Sequence, residues 1–249
     1  MIVLGICAVV IVVFAITAAM SDKLREAVIS SKTYKKGFAV HMNLFSRIHN
    51  SAVRKHKEDI FEKLKPCAES VGGGDILEIG AGTGANFEFF PEGSSIIALE
   101  PNRHMVPYLQ ENAQKFPHVQ LKEIVLGFAE KMEGIPDESV AAVVCTLTLC
   151  SVSDVDTTLS EIKRVLKPGG YFYFLEHVAD ETETWRNSLQ RRFDKQWKYL
   201  SDGCSCSRET WTHLDNAGFS TVSYKKFDLK ELIVLCYLMR PHLAGYAIK

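Results

Sequence analysis

The sequence lacks a net charge of either sign, a regular array of cysteines and an Asn-x-Ser/Thr sequon. Its 29 basic and 30 acidic residues give a formal net charge of −1, which argues against a nucleic-acid partner. The seven cysteines are odd in number and irregularly spaced, so a disulfide-rich secreted domain is disfavoured. With 249 residues, 47% hydrophobic and 24% charged, the chain has the composition of a globular protein and room for one α/β domain with a short appendage. These values assign no oligomeric state.

The N-terminus carries the longest uncharged run. Residues 2–20 contain no charge, and a helix of this length reaches roughly 28 Å, about the thickness of a hydrocarbon core. A cleavable signal peptide is disfavoured because no Lys or Arg precedes the run, and a buried core helix would show a polar face. Cations follow at Lys23, Arg25 and Lys32, which by the positive-inside rule keeps the folded domain in the cytosol. Residues 1–21 are therefore predicted to form a membrane anchor in contact with lipid, either spanning the bilayer or lying in one leaflet.

Residues 22–69 are predicted to form a basic, helical juxtamembrane segment. Within residues 21–66, eleven Lys or Arg stand against five Asp or Glu, with the densest cluster at 54–57. Two interpretations stay open. The cluster attracts anionic lipid headgroups, at about 1 kcal/mol per residue, or it is a solvated helix face.

A strand, a glycine loop and an acid indicate a nucleotide-containing cofactor. An apolar strand at 75–79 precedes Gly80-Ala81-Gly82-Thr83-Gly84-Ala85, after which a helix is predicted to residue 90. Glycines at such a turn let the backbone approach a ligand closely. A second strand at 96–99 ends at Glu100, where a carboxylate suits ribose hydroxyls. The glycine spacing alone also fits the dinucleotide fingerprint of dehydrogenases.

Glu78 and residues 166–170 favour one interpretation of that loop. A carboxylate two residues before the first glycine suits the ammonium of an amino-acid-bearing cofactor. The spacing Glu78-x-Gly80-x-Gly82-x-Gly84, together with Leu-Lys-Pro-Gly-Gly at 166–170, resembles the class I S-adenosylmethionine-dependent methyltransferases. This resemblance implies a Rossmann-like α/β fold with a seven-stranded, mostly parallel sheet over residues 70–249. Its strands are expected at 75–79, 96–99, 119–125, 140–145, 171–175, 219–227 and 243–248, with a helix at 154–166.

The resemblance also implies which residues bind S-adenosylmethionine. Glu78 is expected on the methionyl end, Glu100 and the adjacent Pro101 on the ribose, and Phe128 with Ala129 on the adenine, where many class members have an acid. The full predicted set is Glu78, Gly80, Ala81, Gly82, Thr83, Gly84, Asn86, Glu100, Pro101, Phe128, Ala129, Cys145, Thr146 and Leu147. Cys145 ends strand four, and Thr146 and Leu147, just past it, are expected to flank the reactive sulfonium.

Longer runs resemble the membrane-associated thiol S-methyltransferases, the methyltransferase-like seven family. They are Gly82-Thr83-Gly84-Ala85-Asn86-Phe87, Val144-Cys145-Thr146-Leu147, Leu149-Cys150-Ser151-Val152, Glu176-His177-Val178-Ala179 and Arg208-Glu209-Thr210-Trp211. The resemblance implies methylation of a small lipophilic thiol on endoplasmic reticulum and lipid-droplet membranes. Alternatives are an O- or C-methyltransferase acting on a lipid or quinone, and a non-catalytic membrane scaffold.

His177, just after strand five, is the predicted general base, with a purely structural histidine as the alternative. No metal is expected, because Cys204-Ser205-Cys206 does not have a zinc-ligand spacing and Cys145 and Cys150 suit small buried positions. Arsenic capture by these cysteines is a disfavoured alternative. Two further segments, 185–200 and 232–239, are predicted to pack on the domain or to form a lid, a pocket wall or a membrane contact.

Overall fold

The computed structural model describes residues 20–230 and 234–249. The predicted anchor at 1–21 lies outside the described residues except for its last two positions. Among the helices of the described ranges, none is both long and apolar enough to cross a membrane.

Seven strands form one sheet, which confirms the predicted Rossmann-like α/β fold. They are β1 (Ile76–Ile79), β2 (Ser94–Leu99), β3 (Val119–Val125), β4 (Val140–Thr146), β5 (Leu166–His177), β6 (Thr221–Asp228) and β7 (Pro241–Ile248). Their order is β3-β2-β1-β4-β5-β7-β6, and β7 runs antiparallel to both of its neighbours. The strand order reverses between β1 and β4, so ligands are expected at the carboxyl ends of these two strands.

Helices and connecting segments cover both faces of the sheet. They are α1 (Asp22–Ile29), α2 (Lys32–Phe61), α3 (Leu64–Ser70), α4 (Val106–Lys115), α5 (Val155–Val165), α6 (Trp185–Leu200), α7 (Thr210–Asn216) and a 3-10 helix at Val234–Met239. Alternate residues of β4 enter two different core clusters: Val143 and Cys145 join one, Ala142 and Val144 the other. A strand buried on both faces reads as a continuous apolar run, as β4 does.

The segment 22–69 does not stand apart from the methyltransferase domain. Val53, Phe61 and Leu64 share a core cluster with Ile76 of β1. The basic cluster at 54–57 is therefore neither a lipid-binding patch nor a solvated face as a whole. Lys57 is only 3% exposed, because it lies on the same side of α2 as Val53 and Phe61.

Two other members of the cluster also contact the rest of the protein. Arg54 pairs with Glu88, and the ring of His56 stacks on Phe227 with centroids 3.7 Å apart. Lys55 is exposed.

Two local predictions are wrong. Residues 82–89 form consecutive turns and not a helix, because Asn86 turns its side chain inward and Phe89 N–H bonds to the Asn86 carbonyl only three residues back. Residues 166–170 belong to β5. Leu166 pairs with Val140 and the register resumes at Tyr171, so the run is an irregularity within the strand.

The apolar stripe predicted at 185–200 is mostly not buried. Trp185 and Phe193 are exposed, whereas the polar side chains of Asn187 and Gln190 face inward. Gln190 Nε2 donates to the Leu238 carbonyl, at 2.7 Å. Of the segment 232–239, residues 232 and 233 lie outside the described residues, and Tyr237 stacks on Trp185 with centroids 5.1 Å apart.

Candidate active site

A cavity of about 250 Å³ opens where β1, β2 and β4 end. The described residues that line it are Lys35, Phe38, Met42, Ile79, Gly80, Leu99, Glu100, Pro101, Gly127, Phe128, Ala129, Glu130, Leu147, Thr148, Ser151, Val152, Ser153 and Asp202. Six of the predicted cofactor-binding residues are among them: Gly80, Glu100, Pro101, Phe128, Ala129 and Leu147. The others lie in the adjoining loops or in the sheet beneath.

The glycine loop has a backbone that only glycine adopts without strain. Gly80 has φ +62°, and a Cβ there would lie 2.1 Å from Thr148 Oγ1. Gly82 has φ +55°, and its nearest neighbour to an added Cβ is 3.7 Å away. Gly80 thus fits closely against the β4 loop, while the space above Gly82 is open to a ligand.

Side chains from two helices hold the loop from outside. Asn50 Nδ2 of α2 donates to the Ala85 carbonyl, and Asn112 Nδ2 of α4 donates to the Thr83 carbonyl, both at 2.6 Å. The Thr83 hydroxyl lies 3.5 Å from that of Ser46. Ala81 and Thr83 are buried and help to shape the loop from beneath.

Glu100 caps the loop from the end of β2. Its carboxylate accepts from the Gly82 N–H at 2.9 Å and from the Asn102 N–H at 2.8 Å. Burial raises the pKa of Glu100 to about 7, although the two backbone hydrogen bonds favour the charged form. Each oxygen keeps a lone pair for a further donor such as a ribose hydroxyl.

Glu78 lies beneath the loop in a fully buried polar network. Asn86 Nδ2 donates to Glu78 Oε1 at 2.7 Å and to Thr146 Oγ1 at 2.9 Å, and Lys57 Nζ donates to Asn86 Oδ1 at 2.5 Å. Glu78 Oε2 is buried and has no hydrogen-bond partner among the described residues. An unpartnered buried carboxylate oxygen beside a glycine loop fits the ammonium of an amino-acid group.

The pKa values of Glu78 and Lys57 shift in opposite directions, and burial is the main cause of both shifts. Burial raises the pKa of Glu78 to about 7 and lowers that of Lys57 to about 8, although each charge partly offsets the shift of the other. Asn86 bridges the two groups, so it aligns the carboxylate while Lys57 aligns Asn86.

On the opposite side, Phe128 and Ala129 follow β3. Phe128 is 67% exposed and offers its ring at the cavity edge. The neighbouring carboxylate of Glu130 accepts from the Ser153 N–H and hydroxyl, both at 2.6 Å. These bonds outweigh burial and hold the pKa of Glu130 below its usual value.

The segment after β4 is fixed by the buried Glu176 and the half-buried Arg208. Glu176 accepts from the Thr148 N–H at 3.0 Å and the Cys150 N–H at 3.3 Å, and Arg208 donates to the Leu149 carbonyl at 2.5 Å. Leu147 has φ +55°, a strained conformation for a leucine, at the cavity wall.

Of the predicted residues in that segment, Thr146 faces Asn86 and Leu147 faces the cavity. Cys145 does not. Its thiol is fully buried on the other face of the sheet, 3.4 Å from Glu176 Oε1.

Helix α2 closes the cavity together with the loop after α6. Lys35 Nζ binds Asp202 Oδ1 at 2.5 Å, and the Asp202 N–H donates to the Tyr34 hydroxyl at 3.0 Å. Phe38 and Met42 add apolar surface from the same helix.

His177 lies elsewhere. It is the last residue of β5, is 1% exposed, and is not among the described residues that line the cavity. Its Nε2 lies 2.8 Å from Cys204 Sγ.

Sequence reasoning missed Lys57, Glu176 and the α2 residues of the cavity. A signal existed for Lys57, since positions 53, 57, 60, 61 and 64 follow helical periodicity and the other four are apolar. No comparable signal exists for Lys35 and Asp202, which lie 167 residues apart and meet only in the folded chain.

Comparison with known proteins agrees with this site. The family model for a methyltransferase domain matches residues 77–174. The human thiol S-methyltransferase TMT1A is 39% identical over 86% of this chain and 87% of its own length. Human TMT1B is 37% identical over the same shares.

Solved structures show the same fold at low sequence identity. A methyltransferase from Thermotoga maritima superposes with a TM-score of 0.51 at 18% identity, covering 84% of this chain and 99% of its own. The [4+2]-cyclase SpnF superposes with a TM-score of 0.57 at 16% identity, covering 86% of this chain and 96% of its own. Since a cyclase shares the fold, these superpositions establish the fold alone.

The cofactor prediction is therefore confirmed. The glycine loop, Glu100 and the free oxygen of Glu78 suit the ribose and amino-acid ends of S-adenosylmethionine, which the matched domain family uses. The chain is an S-adenosylmethionine-dependent methyltransferase of class I and belongs to the family of the thiol S-methyltransferases TMT1A and TMT1B.

Proposed function

We propose that this enzyme methylates the sulfur of small lipophilic alkyl thiols at the cytosolic face of endoplasmic reticulum and lipid-droplet membranes. The choice of a thiol as the acceptor rests on the sequence identity of 39% and 37% to relatives named thiol S-methyltransferases. The cavity supports a lipophilic acceptor, because Phe38, Met42 and Val152 give it an apolar wall.

The chain contributes alignment more than acid–base chemistry. S-adenosylmethionine, when bound, supplies a methyl group on a sulfonium, which is already a good leaving group. Glu78 and Glu100 hold the two ends of the cofactor, and Thr146 with Leu147 flank the reacting atoms. An aligned nucleophile in a site that excludes water is the main requirement for such a displacement.

The acceptor must react as a thiolate. A free thiol with a pKa near 8.5 is only a few per cent ionised at neutral pH. A positively charged cofactor favours the anion.

The role of His177 as a base stays a prediction. If His177 takes the thiol proton, His177→Gln lowers kcat/KM at pH 7 and much less at pH 9, where the acceptor is already ionised. An equal loss at both pH values contradicts a base and indicates a positioning role.

Attachment to membranes is supported by an exposed apolar row on α2. Val40, Leu44 and Ile48 follow the i, i+4, i+8 spacing and are 53%, 64% and 54% exposed. The opposite face of the same helix carries Phe38 and Met42 into the cavity. A helix that meets lipid on one side and the acceptor on the other would deliver lipophilic thiols from the bilayer.

A chain-length series tests the acceptor site. We expect Met42→Ala to lower kcat/KM for octanethiol more than for ethanethiol, since about 0.8 kcal/mol is lost per methylene no longer buried. Glu62→Ala, on the exposed surface just after α2, serves as the control. If Met42→Ala affects both thiols equally, the apolar wall does not bind the alkyl group.

A further inference from the structure

Three buried side chains from distant parts of the sequence meet beside the cavity. Cys150 follows β4, His177 ends β5 and Cys204 follows α6. They are 1%, 1% and 5% exposed. His177 Nε2 lies 2.8 Å from Cys204 Sγ, and the three donor atoms all lie within 4.8 Å of one another.

The surroundings of this cluster favour bound thiolates. Trp197 Nε1 points its N–H at Cys204 Sγ at 3.3 Å. The other ring nitrogen, His177 Nδ1, is buried with no hydrogen-bond partner among the described residues. Cys150 Sγ lies 3.6 Å from the Ser151 hydroxyl, so each sulfur has a neighbouring group that can donate to a thiolate.

The backbone holds the cluster in place. The Ser205 N–H donates to the Cys150 carbonyl at 2.8 Å, which joins the segments that carry the two cysteines. The Glu176 carboxylate accepts from the Cys150 N–H at 3.3 Å. Metal sites in proteins are commonly oriented by such outer hydrogen bonds.

We propose that Cys150, His177 and Cys204 bind one zinc ion through two thiolates and the imidazole Nε2, a role that excludes His177 from acting as the general base. Zinc takes sulfur ligands at about 2.3 Å and nitrogen at about 2.0–2.1 Å, so tetrahedral ligand atoms lie roughly 3.5–3.8 Å apart. The His177–Cys204 pair reaches this spacing when its two atoms separate by somewhat less than 1 Å, and every other pair of donor atoms lies within 4.8 Å. Two thiolates neutralise the charge of Zn²⁺, which makes burial of the ion favourable.

The zinc would tie together two segments that wall the cavity. Ser151 and Asp202, which line it, lie within two residues of Cys150 and Cys204. Local motifs in the sequence gave no hint of the site and indicated no metal, because each ligand is 27 residues from the next and no pair of them forms a short motif.

Metal analysis of the full chain in detergent tests the proposal. We expect about one zinc per chain in the wild type and in the control Cys206→Ser, whose buried thiol instead points to the Gln190 carbonyl. Cys150→Ser, Cys204→Ser and His177→Gln should lose most of it while still binding cofactor. Wild-type protein with less than a tenth of an equivalent after incubation with Zn²⁺ under reducing conditions, or ligand variants with unchanged zinc, would overturn the proposal.

A second measurement uses only wild-type protein and therefore does not depend on whether the variants fold. In wild-type protein, Co²⁺ substitution should give a thiolate-to-metal absorption band, and Zn²⁺ should protect Cys150 and Cys204 from alkylation while half-buried Cys67 stays reactive. Absence of the band and equal alkylation with and without Zn²⁺ contradict the site. A Cys150–Cys204 disulfide that persists under reducing conditions also overturns the proposal.

Discussion

At the scale of single residues, two buried carboxylates are the groups that we expect to position the cofactor. Glu100 bonds the Gly82 and Asn102 N–H groups, and Glu78 keeps one oxygen without a partner among the described residues. Both positions could be predicted from the sequence, since an acid before a glycine loop and an acid after the next strand are recognisable motif positions. The partners of Glu78 could not be predicted from the sequence, because only tertiary packing brings Asn86 and Lys57 into its network.

Replacing Glu100 tests the ribose end. Glu100→Ala is expected to weaken cofactor binding by about 1–3 kcal/mol, roughly 5- to 150-fold, because charge-assisted hydrogen bonds and the cap on the loop are lost. Calorimetric titration measures the change. Glu111→Ala, an exposed carboxylate of α4 paired with Lys115, is the control and should bind normally. Unchanged affinity in Glu100→Ala would remove the ribose assignment.

The raised pKa values of Glu78 and Glu100 predict the pH dependence of binding. Both are raised to about 7 by burial, so protonation competes with the cationic cofactor and affinity should fall as the pH drops from 8 to 6. Nearby Lys57 and Lys35 oppose part of this shift, and Asp202 adds to it. Glu78→Gln should bind more weakly at pH 8 and show a flatter profile. Wild-type affinity that does not change over this range contradicts the assignment.

The same pKa shifts have the opposite effect on the stability of the unliganded protein, which they raise at low pH. A carboxyl group whose pKa is higher folded than unfolded adds to the free energy of unfolding below about pH 4.5. That contribution is lost as the pH rises through about 7.

At the scale of elements, the β1–β2 connection depends on one close contact. Gly80 and Gly93 both have positive φ, and each Ala substitution should cost about 1–2 kcal/mol in backbone strain. Only Gly80→Ala adds a clash, with Thr148 Oγ1, which should cost a further 1–3 kcal/mol of overpacking and weaken cofactor binding. Chemical denaturation measures both. Equal destabilisation by the two substitutions would mean that the β4 loop yields to the new methyl group.

Strand periodicity predicted most of the fold because β1, β2, β4 and the second half of β5 are mostly buried, apolar runs. It failed between 82 and 90, where the Asn86 side chain bonds inward and tertiary hydrogen bonds override local helix preference. It also failed for α6, whose buried face carries Asn187 and Gln190 while its tryptophan at 185 lies outside. In that helix, polar contacts to neighbouring backbone decide the orientation, and hydrophobic periodicity cannot report them.

At the scale of the whole molecule, the proposed membrane attachment has two separable parts. Deleting residues 1–21 should weaken flotation with anionic vesicles, and combining it with Val40→Ser, Leu44→Ser and Ile48→Ser should abolish it, since both apolar surfaces are then gone. Leu126→Ser, an exposed leucine after β3, is the control substitution. Full flotation of the combined variant would place the attachment elsewhere on the chain.

The central claim is methyl transfer from S-adenosylmethionine to sulfur. Its most direct test incubates detergent-solubilised full chain with methyl-labelled cofactor and, in parallel, an alkyl thiol, the matched alcohol and a quinol, with Glu78→Gln beside the wild type. The account predicts labelled thioether from the thiol alone, strongly reduced in Glu78→Gln at limiting cofactor. Label in the alcohol or quinol product with none in the thioether, while cofactor binding is intact, would contradict it.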